Sequence, residues 1–445
     1  MPIKLWINPL LVGILILFSL PLKVPALQHW LENLLSITFP VRLSLYTFLL
    51  PPTALLCLFW NRGRITEIWD KLRLPLIILA FLFGWMWLGA IMSDYPALAL
   101  KHSGRYSIML LTFLALLFAL DCNSIKKTGQ MFTAIYVFLM ALTFLDLHGK
   151  LNIPDLLSDY GLQIDLFSGG ERGNLRSSFF ENRNPYAVAS VAVFFWSIAN
   201  LRHSLILSSA GIGAALYSII LTGSRNGILT LVICLLILLY LTFRQKHPQS
   251  TVFAVVLATS LGVGIGFYSF HTQAITRTIS SFNKLSNVES YKDLEILDIR
   301  FTIFRLALES GMRNPPILGS GTKTFGHEVY SKAKNVGYLN NNKDILNNNK
   351  DFYNSHNFLL TVWIEMGWVG LFAVLIFLWL WFRPALRGPP LLMMPMLAVC
   401  VGQIFDYFIW EIFFMAFQSF FFAHFASSIY FVESKNIVRS SEDTG

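Results

Sequence analysis

The sequence has little charge, few cysteines and no cluster of metal-ligand spacing. Charged residues make up 13% of the 445 residues, whereas hydrophobic residues make up 55%. Soluble proteins carry about 25% charged residues, so this composition excludes an ordinary soluble enzyme and a disordered protein. The four cysteines lie in or beside apolar runs without a CxxC pair, so neither a secreted disulfide scaffold nor a zinc site is expected.

Long apolar runs are abundant instead. A membrane-spanning helix needs about 20 mostly apolar residues, and runs of that length predict about twelve spans. They lie near residues 8–26, 40–60, 74–93, 104–121, 129–147, 185–201, 204–222, 226–243, 250–270, 357–382, 389–408 and 411–432. We therefore expect an all-α polytopic membrane protein with a large outer loop domain between spans nine and ten.

The runs divide the chain into four parts. Residues 1–270 contain spans one to nine and an outer loop at about 148–184. Residues 271–355 form the large outer loop, and residues 356–432 contain the last three spans. Residues 433–445 form a tail.

The net charge of +9 is distributed unevenly along the chain. Lysines and arginines concentrate in alternate short loops, as in 62–73 and 126–127, whereas the opposite short loops hold little beyond Lys23 and Lys101. Because short cytoplasmic loops are rich in Lys and Arg, both termini are predicted to be cytoplasmic and the long loops periplasmic. The basic residues of the long loops then need another explanation: solvation, or an anion-binding site that faces outwards.

Four arginines on the predicted outer side are candidate anion ligands. Arg225 lies in a short connection between two apolar runs, and Arg176 lies in the first outer loop. Arg277 follows the ninth span, and Arg300 lies on a predicted amphipathic helix. Arginine can grip phosphate oxygens with two N–H groups at once. The alternatives are a snorkelling arginine at a helix end and solvated loop charges.

His356 is the candidate general base. It lies with Asn357 at the predicted outer start of the tenth span. The N–H groups at a helix N-terminus create a positive potential, which favours a neutral imidazole over a protonated one. A neutral imidazole can accept a proton from a substrate. The alternative is an interfacial histidine whose polar tip lies among lipid headgroups.

Two carboxylates and a pair of glycines are further candidates. Glu365 and Asp406 lie within predicted spans, where an acidic residue is a functional candidate or pairs with an arginine. Gly319 and Gly321 permit a tight turn and a close approach to a ligand, although an ordinary turn explains them equally well. No paired-carboxylate or His-rich motif is present, so we expect no metal site.

Several of these residues form motifs that resemble the O-antigen ligase and O-antigen polymerase superfamily. The motifs are His356-Asn357-x-x-Leu360, Glu365-x-Gly367-x-x-Gly370-Leu371, Arg300 followed by Pro315 and Gly319-x-Gly321, Ser224-Arg225, Arg176 through Asn184-Pro185-Tyr186-Ala187, and Ser93-Asp94-Tyr95-Pro96. Each motif alone is weak, but their order, spacing and predicted outward placement agree with that superfamily.

The resemblance implies a GT-C-type glycosyltransferase of the bacterial inner membrane with a periplasmic active site. The donor would be a glycan on undecaprenyl diphosphate, and the acceptor a sugar hydroxyl of lipid A–core. The ligase would need no metal or other cofactor, and no nucleic acid would bind. His356 would act as the base and the arginines would stabilise the diphosphate, so that in-line attack inverts the anomeric carbon.

Three alternatives remain open at the level of the sequence. An O-antigen polymerase would use a second lipid-linked glycan as the acceptor, and a protein O-oligosaccharyltransferase would use a Ser or Thr hydroxyl. A transporter also fits about twelve helices, but the two halves show no evident internal repeat and the large polar loop lies on one side only.

Overall fold

Helices account for all regular secondary structure in the part of the chain that the computed structural model describes. That part comprises residues 4–20, 45–121, 124–147, 150–159, 180, 182–201, 203–244, 303–305, 307–308, 317–328, 356–386, 390–406 and 412–432. Arg176, Arg277 and Arg300 lie outside it, as does the apolar run at 250–270.

The helices are numbered here in chain order. They are α1 (Lys4–Phe18), α2 (Leu45–Trp60), α3 (Ile65–Ile91), α4 (Pro96–Ala119), α5 (Ile125–Leu147), α6 (Ile153–Asp159), α7 (Arg183–Ala199), α8 (Leu205–Thr222), α9 (Arg225–Arg244), α10 (Phe358–Phe382), α11 (Pro390–Phe405) and α12 (Ile412–Ala426). Short 3-10 turns at Arg62–Arg64 and Arg383–Leu386 and a π-helical turn at Ser427–Val432 adjoin them.

These helices confirm the class expected from the apolar runs. Every predicted span except the run at 250–270 overlaps a described helix. Six of the described helices are long and apolar enough to cross a membrane. The protein is therefore a polytopic membrane protein. The number of spans, their orientation and the extent of the outer loops stay predictions.

Helix α7 forms the centre of the bundle. Every residue from Pro185 to Ile198 is buried, and the helix packs against α8, α9 and α11. A helix that is apolar all round is stable only when neighbours enclose it, which is what these contacts provide. Around this centre, α4 packs against α2 and α12, and α10 packs against α3.

Two glycines bring α9 and α11 unusually close to α7. A Cβ atom built on Gly227 of α9 would lie 2.5 Å from Cβ of Ala187, and one on Gly402 of α11 would lie 2.4 Å from Cγ1 of Val188. Small residues allow helices to approach this closely in a membrane. Each contact lies about one turn from a helix end, so the ends of α7, α9 and α11 meet at one place.

Helix α10 is interrupted at Gly367, whose φ of 69° and ψ of −172° are not helical. Three successive carbonyls before the break accept hydrogen bonds from outside the helix. The carbonyl of Ile364 accepts from the backbone N–H of Ser320 at 2.9 Å, and that of Glu365 accepts from the N–H of Gly321 at 3.0 Å. The carbonyl of Met366 accepts from Nε1 of Trp85 at 2.9 Å. The loop 317–328 is thereby held against the kinked helix, which satisfies backbone groups that a break would otherwise leave unpaired.

Candidate functional site

The central contact joins the predicted base to one of the two intramembrane carboxylates. Nδ1 of His356, before the start of α10, lies 2.8 Å from Oδ1 of Asp406, just after the end of α11. The Asp406 side chain is 3% exposed and that of His356 is 25% exposed. A carboxylate accepts from Nδ1–H, so it selects the tautomer in which Nε2 is the basic nitrogen. The two side chains therefore have the arrangement of a general base and its orienting group.

Asn357 holds this pair together from the backbone side. Its Oδ1 caps α10 by accepting from the N–H of Leu360 at 2.8 Å, and its Nδ2 donates to the carbonyl of Ile404 at 2.8 Å. One side chain thus begins α10 and ties it to the end of α11, two residues before Asp406. The supporting role predicted for Asn357 has a definite geometry in these contacts.

His356 itself has an unusual backbone conformation, with a φ of 51°. Few residues other than glycine adopt this left-handed region, and such residues concentrate at functional sites where the surrounding structure holds them. Here the cap by Asn357 follows immediately and the contact with Asp406 holds the side chain. The left-handed backbone of His356 thus lies directly before the cap of α10, and its imidazole contacts Asp406 at the end of α11.

The second oxygen of Asp406 binds Asn184, a residue to which the sequence assigned no role. Nδ2 of Asn184 donates to Oδ2 of Asp406 at 2.6 Å, and Oδ1 of Asn184 accepts from Oγ of Ser224 at 2.7 Å. Oγ of Ser224 accepts in turn from the N–H of Gly227 at 3.3 Å and so caps α9. A continuous chain of hydrogen bonds runs from His356 to the start of α9.

No local pattern identifies Asn184 or Ser224 as members of this site. Both are polar residues that precede apolar runs, which is typical of helix caps throughout proteins. Asn184 and Asp406 are separated by 222 positions in the sequence. The only signal was their presence beside Pro185 and Arg225 in the motifs of the resemblance.

Arg225 is the predicted anion ligand that the structure describes. It is exposed and is the first residue of α9, directly after Ser224. The N-terminus of a helix already presents a positive potential, so a cation at this position is electrostatically unfavourable unless an anion is near. The roles predicted for Arg176, Arg277 and Arg300 stay predictions.

Glu365 contacts the loop 317–328, and Gly319 and Gly321 within that loop face other protein groups. Oε1 of the buried Glu365 accepts from the N–H of Phe325 at 3.4 Å. Gly319 has a φ of 80°, and a Cβ atom there would lie 2.3 Å from the carbonyl oxygen of Glu365. At Gly321 a Cβ atom would lie 2.8 Å from Cβ of Ser93. The close approach that these glycines permit is therefore to protein atoms, and the described contacts support the loop.

An apolar cavity of about 220 Å³ lies beside the first turns of α10. Residues of α3, α4, α10 and α12 line it, and Phe358 and Thr361 bring it close in sequence to His356. Polar groups are few and include Thr322 and Glu365. The cavity is thus an apolar space between α3, α4, α10 and α12, and Thr322 of the loop 317–328 contributes to its wall.

In the described ranges, no group of three or more His, Cys, Asp or Glu side chains is placed to hold a metal ion. The described side chains present an imidazole in contact with a carboxylate, and Asn184 and Ser224 connect this pair to the start of the helix whose first residue is Arg225.

A membrane-embedded helical bundle with a polar site where helix ends meet is the class of protein that these features define. The family model described as O-antigen ligase matches residues 210–375. The matched range contains Ser224-Arg225, the loop 317–328 and His356, so it confirms the resemblance over this range and supports a family member of the O-antigen ligase type. No curated protein matches the chain. Asn184 and Asp406 lie outside the matched range.

Proposed function

We propose that the protein is an O-antigen ligase, which moves a glycan from undecaprenyl diphosphate to a sugar hydroxyl of lipid A–core. The observation that supports this most directly is the 2.8 Å contact between Nδ1 of His356 and Oδ1 of Asp406, with His356 inside the O-antigen ligase-type domain. Attack by a sugar hydroxyl requires a base, and an imidazole held by a buried carboxylate is a suitable one.

The reaction follows from this arrangement. Asp406 accepts Nδ1–H of His356, and Nε2 takes the proton of the acceptor hydroxyl while the hydroxyl oxygen attacks the anomeric carbon of the donor. The bond between that carbon and the diphosphate oxygen breaks, and the diphosphate leaves with the bonding electrons. In-line displacement inverts the anomeric carbon. The buried carboxylate stabilises the imidazolium that forms, and the imidazolium later releases its proton to solvent.

The leaving diphosphate needs compensation for its negative charge. Arg225, the first residue of α9, would supply a guanidinium, and the first N–H groups of α9 add a positive potential at that end of the helix. Arg300, Arg277 and Arg176 are the further candidates for this clamp.

The apolar cavity beside α10 supports a lipid-linked substrate. Phe358, two residues after His356, is one of its lining residues, and the lining is largely aliphatic and aromatic. A hydrocarbon chain anchored beside it has its diphosphate close to the membrane surface, where the ends of α7, α9, α10 and α11 carry the polar site. The protein is a bacterial inner-membrane protein, and in this proposal the site faces the periplasm.

The test is complementation of a bacterial strain that lacks its ligase. We expect the wild-type protein to restore polymeric glycan on lipid A–core, and His356→Ala to lower the rate by about 10²–10⁴-fold. His203→Ala, at an exposed histidine in the connection between α7 and α8, is the matched control and is expected to transfer at the wild-type rate.

Other products would identify the alternatives. Longer glycan that stays on undecaprenyl diphosphate would indicate a polymerase, and glycan on a Ser or Thr residue would indicate a protein glycosyltransferase. Transfer by His356→Ala at the wild-type rate, in membranes with equal amounts of protein, would refute the base.

A further inference from the structure

Asp406 is a buried carboxylate that receives a donor on each oxygen. Nδ1 of His356 lies 2.8 Å from Oδ1, and Nδ2 of Asn184 lies 2.6 Å from Oδ2. The residue is 2% exposed. A buried carboxylate that loses one of its donors is strongly destabilised or changes its position. The donor opposite His356 therefore influences where the carboxylate points.

The orientation of the Asn184 amide is determined by its two partners. A carboxylate can only accept, so the NH₂ end of Asn184 faces Asp406. Oγ of Ser224 accepts from the N–H of Gly227, and its single proton is directed to Oδ1 of Asn184. An amide turned by 180° would place its carbonyl oxygen against the carboxylate, so the hydrogen bond to Asp406 would be lost and two acceptors would face each other.

The backbone of Asn184 is also held. Asn182 caps α7 by accepting from the N–H of Asn184 at 3.0 Å. Just beyond, Ala187 and Val188 are in the tight contacts with Gly227 and Gly402 that bring α9 and α11 against α7. Asn184 therefore lies on the helix against which both α9 and α11 pack.

We propose that Asn184 is a positioning residue for the transfer reaction, which aims the Asp406 carboxylate at His356 and is itself oriented by Ser224. This inference rests on the proposed function. The effect passes through Asp406, so Asn184 needs no contact with either substrate.

The first test is Asn184→Ala. Loss of the Nδ2 donor frees the carboxylate to move, and misplacement of a catalytic group by about 1 Å lowers the rate about 10²-fold. We expect a kcat about 10- to 100-fold lower and an unchanged KM for the lipid-linked donor. A carboxylate that loses a hydrogen bond also holds the imidazolium proton more strongly, so the acid limb of the rate–pH profile is expected to move to higher pH.

Asn226→Ala is the matched control. Asn226 is also buried, and its Nδ2 ties α9 to α11 by donating to the carbonyl of Gly402 at 3.0 Å. It has no hydrogen bond to the Asp406 carboxylate among the described contacts. We expect it to lose stability as Asn184→Ala does while its acid limb stays where the wild type has it.

A second test uses substitutions that preserve side-chain size. In Asp406→Asn, the fixed donor of Asn184 attracts the carbonyl end of the new amide, so the NH₂ end faces His356. The imidazole must then accept at Nδ1 and carry its proton on Nε2, which removes the base. Adding Asn184→Asp provides an acceptor for that NH₂ end and turns the carbonyl end to His356. We expect the double variant D406N/N184D to recover at least about 10-fold of the rate that D406N loses.

The outcomes are distinguishable. If the wild-type protein does not transfer glycan to lipid A–core, the proposed function fails. If it does, and Asn184→Ala has the pH profile of Asn226→Ala, the positioning role fails and Asn184 is only a packing residue. If Asn184→Ala does not accumulate in the membrane, the double variant decides: no recovery over D406N overturns the inference, and recovery supports it.

Discussion

In the proposed mechanism the chemistry depends on single residues at helix ends, and Arg225 is one of them. It is the first residue of α9, directly after the Ser224 that closes the hydrogen-bond chain from His356. A guanidinium there is opposed by the helix dipole and favoured by an anion. We therefore expect Arg225 to affect the binding of the donor and His356 to affect the rate of the chemical step.

Substitution of Arg225 tests whether this residue binds the donor. A hydrogen bond to a charged group contributes about 1.5–3 kcal/mol, so Arg225→Ala is expected to raise KM for the diphosphate donor about 10- to 100-fold. Arg225→Lys is expected to restore part of the loss, because a point charge lacks the two-pronged geometry that matches phosphate oxygens. The measurement is initial rate against donor concentration in membranes with equal protein content.

Arg62→Ala is the control for that substitution. Its guanidinium lies 4.7 Å from the centre of the Phe59 ring at the opposite, predicted cytoplasmic, side of the bundle. We expect an unaltered KM. If Arg225→Ala also leaves KM unaltered, Arg225 does not belong to the clamp.

At the scale of elements, the closeness of α7 and α11 sets the position of Asp406. A Cβ atom on Gly402 would lie 2.4 Å from Cγ1 of Val188, so Gly402→Ala must push the two helices apart. Overpacking of this kind destabilises by about 1–3 kcal/mol. Because Asp406 follows one turn later, we expect the transfer rate to fall while the protein still inserts. Thermal unfolding in detergent and the transfer rate are the two measurements.

Removal of the overlapping methyl groups provides the control. Adding Val188→Ala to Gly402→Ala is expected to recover stability and part of the rate, because the new Cβ atom then has room. Gly213→Ala in α8 is expected to be neutral, since a Cβ atom there meets nothing within 4 Å. A neutral Gly402→Ala would mean that the helices can separate without moving Asp406.

The break in α10 at Gly367 and the loop 317–328 that packs against it are a second feature at the scale of elements. At Gly319 both the φ of 80° and the 2.3 Å approach to the carbonyl oxygen of Glu365 exclude a side chain. A residue other than glycine in the left-handed region is disfavoured by about 1–2 kcal/mol before any overlap is counted. We expect Gly319→Ala to loosen the loop 317–328, seen as faster proteolysis there, with a lower transfer rate.

Gly104→Ala in α4 is the matched change, because a Cβ atom there meets nothing within 4 Å. It is expected to leave both proteolysis and transfer unaltered. Equal protease resistance in Gly319→Ala and the wild type would contradict the role of the kink in holding the loop.

At the scale of the whole molecule, the proposed reaction requires one orientation in the membrane. The alternation of Lys and Arg predicts that reporters fused after Asp94, within 150–180 and within 280–350 are periplasmic, whereas those at 62–71, 123–128 and 436–445 are cytoplasmic. A cytoplasmic reporter at 280–350 would place the site on the wrong side for lipid A–core. Fusions that truncate the chain before and after α10 provide the internal comparison.

The sequence by itself determined the class of protein, the approximate positions of the long apolar helices and the identity of His356, Asp406 and Arg225 as candidates. These conclusions depend on local quantities: the length of an apolar run, the sign of charge in a loop, the chemistry of a single side chain. The tertiary structure decided which groups meet. It paired Asp406 with His356 and Asn184, 50 and 222 positions away, and it placed Gly319 against the backbone of Glu365 and Gly321 against the side chain of Ser93. Such pairings depend on how closely helices pack and which way an amide faces, and no local pattern encodes either, because both arise only when distant segments share one interior.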